Sequence, residues 1–367
     1  MASRADHRVA GARGGASIRR SSVNLVHKGG HPYDPLVADW LQSTVRENEA
    51  MAACGLHVCM GVTGGRFERY SVPGRLECSD WSDGSIYNMV CGAKPLLFCG
   101  LLAALENASF PIEAAEDGRP SAIDLAAHRL TGAPAVDAMS YLNASDPQRA
   151  QIIESTLSAP ISRSSVSQYT EVSALVILRS LCSGLGCEDI NGSFQALGLR
   201  DSFDCRPRID PGGIGCLIEY DSAHGGGLPL LHDRSPDFYA SDWYGNVGGY
   251  STVEDLCRFY SQLLICARGE SVLGLPSPRV VSAELSQESS GGFALGMMLG
   301  LDAWGIKTDE WAVGHIGFMR SSLGYAEPRT GFVLGAVGRG LDFERVAAMP
   351  DFWTQLVRVC RARVLGR

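Results

Sequence analysis

The reading turns on SIYNMVCGAKPLLFCGLLAALEN, residues 85–107. A cysteine and a lysine stand three apart, a proline follows at once, and a long apolar run begins. AKPLLFCGLLAALEN is apolar on nearly every side, so a helix here runs through the core rather than over the surface. Pro95 would break a helix interior but is tolerated in a first turn, which puts the helix start near Cys91. A thiol in that turn meets free N–H groups and the helix dipole, both of which favour an anion. Lys94 lies on the same helical face, and at the start of so apolar a helix desolvation lowers its pKa. A neutral lysine takes the thiol proton and a charged one holds the thiolate, so either state activates Cys91. By spacing alone, a buried cysteine beside a snorkelling lysine explains the same residues.

Outward from this segment, DPLVADWLQSTVRENEAM has the spacing of an amphipathic helix, and CGLHVCMGVTGGRFERYSV reads as two strands joined at Gly-Gly. Beyond it, SAIDLAAHRL, DPQRAQIIESTL, EVSALVILRSLCSGLG, DINGSFQALG and STVEDLCRFYSQLLICA predict helices, interrupted by a loop-rich segment at 201–250. From about 290 to 345 Gly-rich strands and turns alternate, with EPRTG as a turn between two of them. PDFWTQLVRVCRARVL closes the chain as an amphipathic helix. The economical α+β arrangement is one sheet built from both chain ends, residues 31–120 and 265–367, with 121–264 inserted as a mostly helical lobe. A cleft between the two is the default binding site.

The 367 residues suffice for a substantial core, and 20% charged against 45% hydrophobic is a globular balance. Net charge is −8, unevenly spread: residues 1–30 carry +5, leaving −13 for the rest. An acidic body argues against nucleic-acid binding, and the Gly-, Ala-, Ser- and Arg-rich head reads as a flexible basic tail. The head has no apolar run of a secretory signal, and no segment reaches the roughly 18 apolar residues of a membrane span, so a cytoplasmic location is expected. Twelve cysteines without a C-x-x-C pair read as reduced core residues rather than as a zinc site or a disulfide framework. No metal, organic cofactor or nucleotide motif is implied.

Three segments in order bear a resemblance. CGAKPLLF, YTEVSALVILRSLCSGLG and GHIGFMRSSLGYAEPRTGFVLGAVGRG resemble the three motifs of the serine β-lactamase and penicillin-binding-protein superfamily: S-x-x-K, Y-x-N and K-T-G or H-x-G. GNVGGYSTVEDLCRFYSQLL is similar to a further segment of its class C-like esterase and transacylase branch. The resemblance spans residues 40–360, with cysteine in place of the nucleophilic serine. It implies a β-lactamase/transpeptidase-like fold, Cys91 as nucleophile, and Lys94 and Tyr169 sharing the proton traffic. It also implies His315 and Gly317 on a strand beside the nucleophile, with Gly317 letting substrate approach. The backbone N–H groups of Cys91 and Phe318 would form the oxyanion hole.

Glu171 stands where that family carries an amide; it would pair with Lys94, bind an amine substrate, or point away. Arg320, where that branch has a small residue, would clamp a substrate carboxylate or phosphate, or stand solvated at the surface. A thioester is attacked by amines far more readily than by water. The expectation is therefore a cytoplasmic transacylase moving an acyl group from a small ester or thioester donor to an amine or alcohol acceptor, as in natural-product (antibiotic-type) pathways. The alternatives are a hydrolase (esterase, thioesterase or amidase) and a non-catalytic binding protein.

Overall fold

In FVLGAVG, residues 332–338, alternate side chains serve two different cores. Val333 and Val337 join one buried cluster, while Phe332, Leu334 and Ala336 join another. Successive strand residues point to opposite faces, so this pattern belongs to a sheet covered on both sides. The computed structural model describes residues 34–47, 56–72, 86–115, 118–204, 243–287, 291–317, 321–338 and 351–366, with the backbone of 26–28 and 217–218.

The chain begins with β1 (Val26–Lys28), α1 (Pro35–Glu47), β2 (Leu56–Val62), β3 (Phe67–Val72), β4 (Ile86–Val90) and α2 (Lys94–Asn107). The middle holds α3 (Ala122–Ala126), β5 (Leu130–Thr131), α4 (Ala138–Asn143), α5 (Asp146–Ser158), β6 (Ser162–Arg163), α6 (Ser173–Gly184), α7 (Asn191–Ala196), β7 (Leu217–Ile218) and β8 (Gly249–Ser251). Last come α8 (Val253–Ala267), α9 (Pro278–Leu285), β9 (Phe293–Ala294), β10 (Met297–Leu299), β11 (Val313–Ile316), β12 (Ser322–Ala326), β13 (Phe332–Gly338) and α10 (Phe352–Leu365). Eight strands form one antiparallel sheet in the order β1-β3-β2-β13-β12-β11-β10-β9. Both chain ends therefore contribute to it, as the sequence pattern predicts. Val26–Lys28, assigned above to the flexible tail, instead pairs with β3 as an edge strand; residues 1–25 lie outside the described residues.

Helices α1 and α10 cover one face through Val37, Leu41, Trp353 and Leu356. The other face is covered by α2 and α8. Leu96, Leu97, Phe98, Leu101, Leu102 and Leu105 of α2 are all at most 2% exposed. At about 1.5–3 kcal/mol for each such side chain, this central helix is among the largest contributors to the core. The helix α8 sits directly on the sheet because Gly335 and Gly324 pair across β13 and β12 beneath it. A Cβ at Gly335 would lie 2.4 Å from the Val253 carbonyl oxygen, and one at Gly324 2.2 Å from the Tyr260 ring. The proposed lobe boundary at 264/265 thus falls inside a helix of the sheet domain and has to move: α8 is welded to the strands by backbone contact that only glycine permits. SAIDLAAHRL also departs from its predicted helix. It is helical only to Ala126, and His128 turns the chain at φ 53° into β5. Most of the loop-rich segment, 205–242, lies outside the described residues apart from β7. Among the described residues no helix is long and apolar enough to cross a membrane.

Candidate active site

Strand β4 runs between β7 and β8, its register shifting between Asn88 and Val90, and ends on a strained residue. Val90 has φ 49° and ψ −130°. A β-branched residue at positive φ is a true outlier, costing of order 1–3 kcal/mol, and persists only where its surroundings enforce it. They do so here: the Asn88 side-chain oxygen accepts the Val90 N–H at 3.0 Å and the Tyr244 hydroxyl as well. The sharp exit sets Cys91 at the head of a single 3-10 turn, Cys91–Ala93, that runs straight into α2. Cys91 is 6% exposed, and Pro95 occupies the first turn, where its missing N–H costs nothing.

Lys94 is completely buried. Its Nζ donates to the backbone carbonyl of Glu171 and lies 5.6 Å from the centroid of the Tyr169 ring. Burial holds its pKa below the ordinary lysine value, opposed in part by the nearby Cys91 and Glu171. The Tyr169 hydroxyl is buried, with the Cys91 thiol beside it. Burial, then the proximity of Cys91, then Glu171 push its pKa well above 10. A phenolate at Tyr169 supported by a cationic Lys94 is therefore disfavoured at both ends. Burial thus favours the neutral amine at Lys94 and the protonated phenol at Tyr169.

His315, on β11, is 1% exposed, and its ring lies 6.0 Å from that of Tyr169. Its Nδ1–H donates to the Ile316 carbonyl at 2.9 Å, leaving the lone pair of Nε2 unengaged. Burial, then Lys94, lower its pKa to about 3, so the ring is neutral at physiological pH.

Gly317 is in the expected place with a different reason for being glycine. A Cβ there would meet Ser322 Oγ at 2.3 Å, Ser321 Oγ at 2.9 Å and the Met89 carbonyl oxygen at 3.0 Å. The space that a side chain would need is filled by protein, not held open for substrate. Gly92 faces the same Ser322 hydroxyl, also at 2.3 Å from its would-be Cβ. Ser322 Oγ donates to Met89 O at 3.1 Å, and Gly317 N–H to Ser322 O at 2.8 Å. The serine thus staples the Cys91–Ala93 turn to the sheet through two close-packed glycines. Sequence reading gave Ser322 and Asn88 no role, although Ser322 lies within the third quoted segment; both act through partners more than 150 residues away. Phe318 and Arg320 lie outside the described residues.

The side chain and the backbone of Glu171 have different partners. Its carboxylate accepts the N–H of Ala138 at the start of α4, and only its backbone carbonyl meets Lys94. Glu171→Ala is expected to lose about 1 kcal/mol, the scale of a helix cap, and Glu171→Gln, which keeps an acceptor, less than half of that. Urea unfolding of the two variants checks this; equal losses would mean that the charge, not the cap, matters. Beside Tyr169 a cleft of 340 Å³ is lined by Leu130, Val136, Asp137, Gln168, Tyr169 and Glu171 among others.

No family model matches the chain, and no curated protein sequence matches it. Solved structures do. D-amino acid amidase from Ochrobactrum anthropi SV3, complexed with L-phenylalanine amide, aligns with a TM-score of 0.61 at 14% identity, over 89% of this chain and 99% of its own. The fold is that of the β-lactamases and transpeptidases. A class C β-lactamase from Rhodobacter sphaeroides aligns at 0.57 and 15% identity, over 88% of this chain and all of its own. A family VIII carboxylesterase aligns at 0.59 and 13% identity, over 91% of this chain and all of its own. In this β-lactamase-like fold, residues of all three quoted segments stand together: Cys91 and Lys94 open the central helix, and Tyr169 and His315 converge on it from the helical middle and the sheet.

Proposed function

We propose that the protein is an acyl-transfer enzyme that cleaves an ester or amide bond of a small molecule through an acyl-enzyme on Cys91. The observation that carries this reading is the desolvated Lys94, three residues from a thiol at a helix start and beneath the Tyr169 ring. In the free enzyme the lowered pKa of Lys94 makes its amine the base that takes the Cys91 proton. The sulfur attacks the carbonyl, and the oxyanion forms against the N–H of Cys91, with the segment that follows Gly317 as the expected second donor; each such donor is worth about 2.7–4 kcal/mol. Tyr169, which holds its proton tightly, delivers it to the leaving alcohol or amine and recovers it from Lys94. The buried, neutral His315 adds no competing positive charge beside Lys94. Deacylation runs the same relay in reverse, with the acceptor giving up its proton.

Hydrolysis, the alternative reading of the sequence, is supported by the similar structures, which are an amidase, a β-lactamase and an esterase. Transfer to an amine or alcohol is the second reading, supported by the sulfur: a thioester intermediate selects amines over water. Both pass through one intermediate, and one experiment separates them. Intact-mass spectrometry after addition of an activated ester is expected to show one acyl adduct on Cys91. Decay at a rate independent of added amine or alcohol means hydrolysis; acceleration by the acceptor, with acylated acceptor as product, means transfer. No adduct from any ester, thioester or amide donor would sink the proposal.

A further inference from the structure

Cys91 and Lys94 are carried by α2 and His315 by β11, but Tyr169 stands in the irregular chain between β6 and α6 and needs an anchor of its own. His128 is that anchor's candidate. It is fully buried and sits at φ 53°. Its backbone carbonyl accepts the N–H of Gln168 at 2.9 Å, immediately before the tyrosine. Its Nδ1 accepts the N–H of Thr170 at 3.2 Å, immediately after it. Because a backbone N–H only donates, Nδ1 must present its lone pair, and the Thr170 hydroxyl at 2.9 Å donates to it as well. The proton is therefore on Nε2.

The ring is wedged between Phe98, Tyr169 and Phe293, with centroids 5.3, 5.1 and 4.8 Å away. We propose that His128 is the positioning residue of Tyr169: as the Nε2–H tautomer it clamps the backbone on both sides of the tyrosine and sets where its hydroxyl stands over Cys91 and Lys94. This rests on the acyl-enzyme reading above. Burial, reinforced by Lys94 and His315, holds the His128 pKa well below the ordinary histidine value, which keeps the accepting lone pair free of a proton. An apolar side chain would fill the same volume but leave the Thr170 N–H buried without a partner. The backbone strain has the same logic: a left-handed residue is kept where its carbonyl and its ring must reach one short segment from one side.

The test compares His128→Leu with His128→Asn. The two side chains have similar shape, but Asn offers an acceptor at the δ position and tolerates positive φ. With p-nitrophenyl acetate as probe, His128→Leu is expected to lower kcat about 100-fold with KM within about three-fold, and His128→Asn to stay within about ten-fold of the wild type. The pH profile of Cys91 alkylation by iodoacetamide, which needs no acyl chemistry, is expected to shift in His128→Leu and not in His128→Asn. Wild-type kcat and profile in His128→Leu, or a folded His128→Asn no better than His128→Leu, overturns the proposal. If His128→Leu does not fold, His128→Asn decides alone: loss beyond about 100-fold overturns it, and near-wild-type values support it. If the wild type turns over no ester, the acyl-enzyme reading falls for that donor and the alkylation profile alone decides the role of His128.

Discussion

Replacing Cys91 with alanine is expected to abolish the acyl adduct and lower turnover by at least about a thousand-fold, because the relay of Lys94 and Tyr169 then has no nucleophile to serve. Stability should change by no more than about 1 kcal/mol, the ordinary scale for one small substitution, so thermal unfolding separates loss of chemistry from loss of fold. Cys91→Ser is the informative companion. A hydroxyl holds its proton far more tightly than a thiol, so acylation slows. The adduct, now an ester, also loses the preference of a thioester for amines over water. If the native enzyme transfers acyl groups to amines, the ratio of aminolysis to hydrolysis falls in Cys91→Ser. If it hydrolyses, only the rate falls. An adduct that survives Cys91→Ala would place the nucleophile elsewhere and end the proposal.

Lys94→Met should separate function from stability in the opposite sense to most core changes. Turnover is expected to fall by about 10²–10⁴-fold, the usual share of a positioned base. Two terms of stability oppose each other. Replacing a buried charge-bearing group with an apolar one of similar size is neutral or stabilising by about 1–4 kcal/mol. Leaving the Glu171 carbonyl without its partner costs about 1–3 kcal/mol. The net change should therefore stay within about 2 kcal/mol.

The sign of the pH dependence follows from the lowered pKa of Lys94. Between that lowered value and the 10.5 of the unfolded chain, the unfolded state binds more protons than the folded one. Wild-type stability therefore gains from this group as pH rises through the window up to 10.5. Lys94→Met removes this slope, so its stability relative to wild type is highest at the low-pH end and declines toward pH 10.5. Unfolding curves at several pH values read this directly. A difference independent of pH would mean that Lys94 is ordinarily protonated in the fold, and the base would then have to be sought elsewhere.

Much of this was legible in the chain. The all-round apolar run after Pro95 predicted a core helix, and the Gly-rich strands and turns of 290–345 predicted the share of the sheet that the end of the chain supplies. Periodicity is local, so the chain states it wherever the element is long. The resemblance of CGAKPLLF, with Tyr169 and GHIG downstream, pointed to side chains that now stand together. Periodicity failed where the deciding partner was remote or the element short. SAIDLAAHRL looks helical throughout, yet the chain turns at His128 because that residue serves the Tyr169 segment, 42 residues on.

Gly317 illustrates the division best. Its glycine was evident, and so was its neighbourhood. Why it is glycine was not, because the atoms that fill its empty side belong to Ser321, Ser322 and Met89, brought there by sheet pairing and by the staple onto β4. Glu171 is similar: its identity departs from the family pattern, but only packing shows that its carboxylate caps α4 while its backbone holds the lysine. The sequence by itself determined the fold class, through periodicity and the resemblance of three segments, and that resemblance singled out Cys91, Lys94, Tyr169 and His315 as candidates. The tertiary structure alone decided their supports and the direction in which burial moves the pKa of Lys94 and of Tyr169. A pKa is set by what surrounds a group, and what surrounds Lys94 includes Tyr169 and Glu171, 75 and 77 residues away in the chain.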